Sequence, residues 1–438
     1  MRVRQAFRFE LDPNRGQRQA LARHVGAARW AYNWGLALCL KALEEGRKIP
    51  SAMELHKAWN RWKRENAPWW QEVSKCAPQE ALRDLERAFR GWRAGRAGLP
   101  RFKRKKAAAD NKARLTGVIR VEDERHVRLP RIGRVRTKER TTKLRRLLEE
   151  GRARVLSATV SREADRWYVS LTCEVERPDP APVEGDVVGV DVGLKDFAVL
   201  SDGERIPAPR PLERALRLLR RRARQLARKR RETRVVKDEA AGRERVITVC
   251  SRNYEKAALR LARLYRRIRN IRMDFLHQVT TRLAKTKSVV VVEDLAVGAF
   301  MQNGRVSRSV ADVGWGTFRR LLGYKTRWYG SRLVEAPRRF PSTRMCSRCG
   351  WVRREPLPLH ERTFRCGACG MTADRDLNAA LNLQSYGLAV LNGPTGSSPG
   401  SHACGDRLCG GTGPTPVYEH PVGEAGSGRS SMEPARVK

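Results

Sequence analysis

Acidic residues are scarce in this sequence, with 47 Asp and Glu against 91 Lys and Arg, and the formal net charge is +44. A compact chain with this excess of one sign repels itself, which predicts a polyanionic partner. No apolar run approaches the roughly 20 residues of a membrane-spanning helix. The first 14 residues lack the apolar core of a signal peptide. We therefore expect a nucleic-acid partner rather than a membrane, and a cytoplasmic, nucleoid-associated protein. Charge alone would suit a ribosome-type binding protein equally well.

Cysteine is also too sparse for a disulfide scaffold, with 10 in 438 residues. Four of the ten form two matched CxxC pairs separated by 16 residues: Cys346, Cys349, Cys366 and Cys369. This spacing predicts one tetrahedral structural zinc with all four positions taken, and Gly350 and Gly370 permit the tight turns. Redox pairs are the less favoured interpretation. A second metal site at His402, Cys404 and Cys409 is disfavoured because the surrounding segment lacks structural periodicity.

The length predicts two to four domains, and hydrophobic patterning divides the chain further. A strand is expected at 6–11, helices with interleaved tryptophans at 17–95, and strands within 116–180. After a Pro-rich linker at 178–182, strands are expected at 187–193, 288–293 and 332–336, and a hairpin is expected at Asp202-Gly203. Helices are expected at 212–232, 253–285, 315–330 and from 376. The tryptophans are expected to pack, with base stacking the alternative for exposed rings.

Three carboxylates stand at the ends of buried elements. Asp191 and Glu293 end two Val-rich strands, and Asp376 begins the last helix. Each alone has an ordinary explanation, as a strand end, an arginine partner or a helix cap. Hydrolysis of a phosphodiester by two divalent ions needs clustered carboxylates, and these hard oxygen ligands suit Mg²⁺ or Mn²⁺. The order strand-acid, hairpin, helices, strand-acid, helix-acid is that of an RNase H-like nuclease.

Basic residues are concentrated in one loop and two helices. Residues 98–106 combine a helix stop with a basic run, and 10 of the 21 residues in 212–232 are Arg or Lys. A repeating apolar seam at Leu261, Leu264, Ile268, Ile271 and Phe275 predicts packing on one face of the second helix. The candidate phosphate contacts are Arg101, Lys103, Arg220, Arg221, Arg224, Arg228, Arg263 and Arg267.

Several of these segments together resemble the TnpB family of transposon-encoded nucleases, which is related to type V CRISPR effectors. The resemblance covers most of residues 1–386. It rests on segments 100–103, 189–193, 274–277, 292–295, 315–319, 340–342 and 374–380 together with the two CxxC pairs. Thr343-Arg344 departs from the Ser-Lys that the family often has.

The resemblance implies an α/β multidomain fold with a RuvC (RNase H-like) nuclease domain, an inserted zinc ribbon, a β-barrel wedge domain and a helical recognition lobe. The implied boundaries are 1–20 and 96–182 for the wedge, 21–95 for the recognition lobe, 183–343 for the nuclease domain, 344–372 for the zinc ribbon, 373–386 for the final RuvC helix and 387–438 for a disordered tail. It further implies that Asp191, Glu293 and Asp376 are the catalytic metal ligands. A guide RNA from the transposon end would direct cleavage of double-stranded target DNA.

Two other functions remain open at this stage. An RNA-guided repressor without cleavage would require a lost or misplaced acid, and all three stand here. A transposase is less favoured, because none of the seven His forms a paired-His motif and a DDE enzyme would normally end its triad with Glu. The sequence leaves the oligomeric state open.

Overall fold

The computed structural model describes residues 1–105, 110–229, 231–238, 243–358 and 360–392, all within one compact unit, Met1–Asn392. The described helices are α1 (Arg15–Glu44), α2 (Ala52–Asn66), α3 (Cys76–Arg93), α4 (Thr142–Glu149), α5 (Pro211–Ala227), α6 (Arg252–Thr286), α7 (Val297–Gln302), α8 (Ser307–Val313), α9 (Trp315–Tyr329) and α10 (Arg375–Asn392), with a 3-10 helix at Pro68–Glu72. Among the described residues, none of the helices combines the length and apolarity of a membrane-spanning segment.

The described strands fall into four sheets. They are β1 (Arg2–Asp12), β2 (Lys112–Leu115), β3 (Arg120–Asp123), β4 (His126–Leu129), β5 (Gly133–Thr137), β6 (Ala153–Glu163), β7 (Arg166–Glu176), β8 (Val187–Val192), β9 (Asp196–Leu200), β10 (Arg205–Pro207), β11 (Arg231–Asp238), β12 (Arg243–Cys250), β13 (Val289–Glu293), β14 (Arg332–Ala336), β15 (Thr363–Arg365) and β16 (Thr372–Asp374). The predicted strand at 332–336 is confirmed at both ends, the strand predicted at 187–193 ends one residue earlier at Val192, and the hairpin at Asp202-Gly203 joins β9 to β10.

The first sheet joins the start of the chain to residues far from it in sequence. Its seven antiparallel strands have the order β2-β6-β7-β1-β5-β4-β3. β1 pairs with β7 along its length, from Arg2 opposite Glu176 to Leu11 opposite Trp167. Helices α1 to α3 therefore stand as an insertion after the first strand, and their apolar residues share one core with this sheet. Closure of the sheet into a barrel stays a prediction.

The second sheet has the order β10-β9-β8-β13-β14, with β8, β13 and β14 parallel. Val289–Val292 are buried throughout, as expected for a parallel strand covered on both faces. Val290 and Val292 pack in the core that contains residues of α6 and α9, whereas Val289 and Val291 pack with Leu383 of α10. The sheet is therefore covered by helices on both sides.

Two glycines let α10 approach this sheet closely. A Cβ on Gly189 would lie 1.9 Å from the carbonyl oxygen of Ala380, and a Cβ on Gly387 would lie 2.3 Å from the Val291 side chain. The prediction that this helix ends at 386 is wrong, because the helix passes Gly387 and continues to Asn392. The rest of the predicted disordered tail, with His402, Cys404 and Cys409, lies outside the described residues.

The basic segment predicted as one helix from 212 to 232 is in fact shorter. α5 ends at Ala227, and β11 pairs with β12 as an antiparallel hairpin before α6 begins. The segment 233–249 is rich in Val, Ile and Thr, whose branched side chains favour strands. The prediction followed the Arg and Lys residues, which continue past the end of the helix into the first strand of the hairpin, and therefore placed the end of the helix too late.

The orientation of α5 is fixed by a buried carboxylate from another helix. The N-cap residue Arg210 makes no side-chain cap, and Asp312 of α8 instead accepts hydrogen bonds from the N–H groups of Leu212 and Glu213 at 3.0–3.1 Å. Arg272 of α6 pairs with the same carboxylate at 2.9 Å. A buried ion pair that also caps a helix holds α5, α6 and α8 in one arrangement.

Candidate active site and metal centre

The three predicted carboxylates meet at one end of the second sheet. β8 and β13 are parallel with Val190 opposite Val292, so Asp191 and Glu293 follow at the same end of neighbouring strands. α10 crosses β8 at Gly189 and begins at Arg375, which brings Asp376 to the same end. The structure therefore brings together side chains from three segments that are far apart in the sequence.

The electrostatics of Asp191 show how close these charges are. Burial, followed by the negative charges of Asp376 and Glu293, raises the pKa of Asp191 well above its ordinary value, and Arg375 only partly opposes this shift. Burial and the charge of Asp294 likewise raise the pKa of Glu293. Neighbouring ionised acids repel one another, and a bound cation offsets this repulsion. The arrangement is therefore one that metal-binding sites use.

Asp376 differs from the other two acids because arginines contact it. Arg362 Nη1 lies 3.3 Å and Arg375 Nε lies 3.2 Å from its carboxylate oxygens. Among the described residues, the three carboxylates are not grouped closely enough to form a single-ion site, and the four cysteines are.

Asp374 has a structural role that the sequence did not reveal. It ends β16 rather than lying on the helix, and its Oδ1 accepts hydrogen bonds from the N–H groups of Asp376 and Leu377, both at 3.0 Å. Its Oδ2 pairs with Arg205 of β10 at 2.9 Å. Burial alone would raise the pKa of Asp374, but the Leu377 N–H and Arg205 hold it below the ordinary value. Asp374 caps α10 and thereby positions Asp376.

The four cysteines form a compact thiol cluster. The Sγ atoms of Cys346 and Cys369 are 3.7 Å apart, and those of Cys349 and Cys366 are 3.6 Å apart. With Zn–S bonds of about 2.3 Å, the edge of a tetrahedral thiolate site is about 3.8 Å. The spacing in this structure therefore fits zinc. Gly350 and Gly370 have φ values of 75° and 71°, which confirms the predicted tight turns after each pair.

Backbone donors already favour a thiolate at this centre. The N–H groups of Ala368 and Cys369 both point to Cys366 Sγ at 3.4 Å. Desolvation would raise the pKa of Cys366, but these N–H groups and the contacts with the Cys349 and Cys369 thiols lower it to about 6. The Trp351 N–H lowers the pKa of Cys349, but desolvation and the neighbouring thiols raise it to about 12, so the thiolate is favoured at Cys366. Because the thiolate is the form that binds metal, the fold prepares this ligand for zinc.

Two buried asparagines of α10 connect the thiol cluster to the carboxylates. Asn378 Nδ2 donates to the carbonyl of Met345 at 2.7 Å and its Oδ1 accepts from the N–H of Ser347 at 3.0 Å. One turn later, Asn382 Nδ2 donates to the carbonyls of Ser342 and Met345 at 2.7 and 2.6 Å. The first CxxC turn is thus bonded to the helix that carries Asp376. Sequence reasoning missed both residues, although buried Asn at i and i+4 in a helix interior is itself unusual.

Replacing Asn378 and Asn382 together with Ala should loosen the thiol cluster. Each substitution leaves buried backbone groups without partners, at about 1–3 kcal/mol per group. We expect zinc to pass faster to a chromogenic chelator, measured at a temperature where the protein stays folded. Ser385→Ala, at an exposed position of the same helix, is the control. Equal zinc release from all three proteins would contradict the connection.

The predicted phosphate contacts divide into two groups. Four arginines in or directly after α5 are exposed and have no ion pair among the described residues, and Arg101 and Arg267 are also exposed. Lys103 and Arg263 instead have partners within the protein: Lys103 Nζ lies 3.7 Å from the centre of the Tyr32 ring, and Arg263 pairs with Asp165 at 2.7 Å. The four are Arg220, Arg221 and Arg224 of α5 and Arg228, the residue directly after its end. Phosphate contact stays a prediction for these six exposed residues.

Replacing the four arginines in and directly after α5 with Gln should weaken binding to duplex DNA and flatten its salt dependence. Each arginine that no longer neutralises a phosphate should reduce the slope of log K against log salt by about 0.9, and four should reduce it by about 3.6. The measurement is DNA binding at several salt concentrations. Arg263→Gln on α6 is the matched control, since its guanidinium is already paired. A slope that changes for Arg263→Gln and not for the fourfold variant would refute the assignment.

Three protein-family profiles match the chain. The family described as "Probable transposase" matches residues 170–304, the "Cas12f1-like, TNB domain" matches 315–383, and a "Helix-turn-helix domain" matches 1–48. The last description does not fit the structure, in which residues 2–12 are β1 and Arg15–Glu44 is one uninterrupted helix. The second match spans the thiol cluster and the first half of α10.

Curated relatives are similar over nearly the whole chain. A "Putative RNA-guided DNA endonuclease" of Mycobacterium tuberculosis is 39% identical over 464 residues, covering 96% of this chain and 95% of that protein. The "Putative RNA-guided DNA endonuclease InsQ" of Escherichia coli is 32% identical, covering 89% of this chain and 94% of its own length. Among solved structures, one titled "Cryo-EM structure of the Cas12f1-sgRNA-target DNA complex" aligns with a TM-score of 0.44 and 14% identity, covering 87% of this chain and 99% of that one.

Proposed function

This chain belongs to the TnpB (OrfB) family, and we propose that it is an RNA-guided DNA endonuclease that cuts target DNA by divalent-metal-dependent hydrolysis in a RuvC-type site. One observation carries the proposal: Asp191 and Glu293 follow at the same end of the parallel strands β8 and β13, where burial and the charges of Asp376 and Glu293 raise the pKa of the partly exposed Asp191. Partly buried acids that repel one another do not stabilise a fold, so their presence supports a site that binds cations.

The residues present fit the metals that this function requires. Asp191, Glu293 and Asp376 supply the hard oxygen ligands that suit Mg²⁺ or Mn²⁺, and the four cysteines supply a closed zinc site. A pair of divalent ions, when bound, stabilises both the attacking and the leaving oxygen of an in-line displacement at phosphorus. The zinc site has no open position, so its role is structural.

Several residues prepare the carboxylates for this role. Arg319 of α9 pairs with Asp294 and with Glu335 of β14, and Arg338 Nη2 also reaches Asp294 at 3.0 Å. These contacts hold Asp294, the residue after Glu293, in an ion-pair network of its own. Glu293 is left without a basic partner among the described residues. The network keeps a free carboxylate available where a cation is needed.

The chain order supports the RuvC assignment. The acids follow the order strand, strand, helix around a sheet with a parallel centre, and the sheet is covered on both faces. In this proposal the seven-stranded sheet and helices α1 to α3 form the wedge domain and recognition lobe. The guide RNA comes from the transposon end, and the substrate is double-stranded DNA.

A repressor without cleavage is the second candidate, and the assembled acids disfavour it. A repressor would gain nothing from a buried, mutually repelling triad. The test is to purify the full chain expressed with its flanking transposon DNA, sequence the RNA that copurifies, and add plasmids bearing the matching target with Mg²⁺. We expect one defined RNA and linearised plasmid. A defined RNA with an uncut, bound plasmid would establish the repressor instead.

A further inference from the structure

A cavity of about 290 Å³ opens beside α1 and the 3-10 helix, away from the carboxylates and the cysteines. Trp30 and Trp69 provide its aromatic lining, and Arg23, Arg29 and Glu72 provide its charged lining. Its volume lies at the lower limit of small-molecule pockets, about 300 Å³. The cavity therefore has room for one planar ring system rather than a larger ligand.

The aromatic lining is the exposed end of a fixed group of tryptophans. Trp59, at the centre of this group, is 2% exposed, whereas Trp30 is 40% exposed. The Trp30 ring stacks on Trp62 with centroids 4.5 Å apart and an interplanar angle of 29°, and it contacts Trp69 edge-on at 6.2 Å. Trp30 is thus held rigidly by its neighbours while much of its surface faces the cavity and solvent. A rigid, exposed indole is a stacking platform.

In the charged lining, Arg29 offers hydrogen-bond donors that no described residue uses. Arg23 pairs with Glu72 at 2.6 Å, with both side chains more than half exposed. Arg29 is partly buried and has no hydrogen bond or ion pair with any described residue. Burial lowers the pKa of Arg29, and the charge of Asp110 opposes that shift. A partly desolvated guanidinium with free N–H groups needs acceptors from a ligand.

From this arrangement we infer that the cavity binds a single unpaired nucleobase of an RNA, which stacks on Trp30 while Arg29 donates to acceptors on its edge. The inference rests on the proposed function for its RNA partner. RNA is the favoured source because folded RNA presents unpaired bases in loops and ends, where proteins stack them on aromatic and Arg side chains. A duplex DNA base would first have to leave its stack, which costs several kcal/mol.

The test uses fluorescein-labelled decamers of oligo(rA), oligo(rU) and oligo(rC) and the full chain, stripped of bound nucleic acid at high salt. Trp30→Leu should weaken binding of at least one decamer about 5- to 100-fold, the range for loss of one stacked base. The salt dependence of binding should stay unchanged, because a base contact releases no counterions. Trp30→Phe keeps an aromatic face and should retain most of the affinity.

The matched control is Trp70→Leu. Trp70 belongs to the same lobe and stacks under Lys63 at 4.1 Å, but it does not line the cavity. Unchanged RNA affinity in Trp30→Leu, with normal binding by the parent protein, would overturn the inference and leave the RNA-guided function standing. Oligo(dA) decamers are measured in parallel. If Trp30→Leu weakens the binding of oligo(dA) and of no RNA decamer, the site binds DNA and the inference of an RNA base is overturned. A parent protein that neither binds decamers nor copurifies with RNA would refute both.

Discussion

Asp191→Ala, Glu293→Ala and Asp376→Ala are each expected to abolish DNA cleavage while guide RNA and target DNA remain bound. The acids hold cations at the scissile phosphate, whereas binding rests on base pairing and on basic residues elsewhere. Removing a single transition-state stabiliser commonly costs 100- to 1000-fold, and the loss of a metal ligand should cost at least about that much. The measurement is plasmid cleavage beside a gel-shift assay with the same RNA and target.

Stability provides an independent check on Asp191. An acid whose pKa is higher in the folded state than in the unfolded state stabilises the fold at low pH, where it is protonated in both states. This contribution to the free energy of unfolding decreases as the pH rises from the unfolded-state pKa to the folded-state pKa. Burial and the charges of Asp376 and Glu293 raise the pKa of Asp191, so its ionised form destabilises the metal-free fold at neutral pH. Asp191→Asn should therefore be inactive and should unfold at a higher temperature than the parent protein in buffer without Mg²⁺ or Mn²⁺ and without a chelator, so that the zinc site stays intact. A lower unfolding temperature would mean that the inactivity follows from misfolding.

Asp374 is the control for the third ligand. Asp374→Asn keeps an acceptor for the N–H groups that start α10, and Asn caps helices about as well as Asp. It should retain cleavage, whereas Asp374→Ala should cost about 1 kcal/mol of stability because the cap is removed. If Asp374→Asn is inactive and Asp376→Asn is active, the third ligand has been misassigned. If none of the three acids matters, the repressor becomes the better account.

Cys349→Ser and Cys366→Ser are expected to remove the bound zinc and with it the local structure around the thiol cluster. Apparent zinc-binding energies of such sites are about 10–16 kcal/mol in peptides, far more than a small segment gains from its own packing. Cleavage should also fall, because Asn378 and Asn382 bond this segment to the helix that carries Asp376. Metal analysis of the purified protein should change from one zinc per chain to none.

Cys76→Ser is the matched control for the zinc prediction. Cys76 is a partly exposed free thiol at the start of α3, outside the cluster. Its replacement should leave both zinc content and cleavage unchanged. A cleaving, well-folded parent protein without zinc would rule out the metal centre itself.

Local sequence pattern was sufficient for most of the second sheet and for the site on it. Runs of Val ending in an acid predicted β8 and β13 because a buried parallel strand is apolar on both faces. The paired cysteines predicted their own cluster because four thiolates at this spacing close one tetrahedron. In both cases the signal is local to each segment, a Val run that ends in an acid or a CxxC pair, whereas the meeting of the three distant acids was predicted from the order of the elements and from the family resemblance.

What the sequence did not predict depends on partners far along the chain. Arg263 pairs with Asp165, 98 positions earlier, and Lys103 packs on Tyr32, so neither is an open phosphate contact. Ile271 belongs to the predicted apolar seam but is 42% exposed, because the packed face of α6 here is formed by Leu264 and Ile268. The local sequence around a charged or apolar residue is the same whether or not a residue distant in the sequence contacts it in the fold.

The position of α10 has a consequence for synthesis of the protein. Glu293 is translated roughly eighty residues before Asp376, and ribosomes add about 5–20 residues per second, so several seconds separate the second acid from the third. During that time the face of the sheet that receives Leu383 is uncovered, and no complete carboxylate set exists. Under the proposed function, a nascent chain that has not yet reached Asp376 is therefore expected to be unable to cut DNA. Synthesis of the last helix is then the step that completes the proposed site.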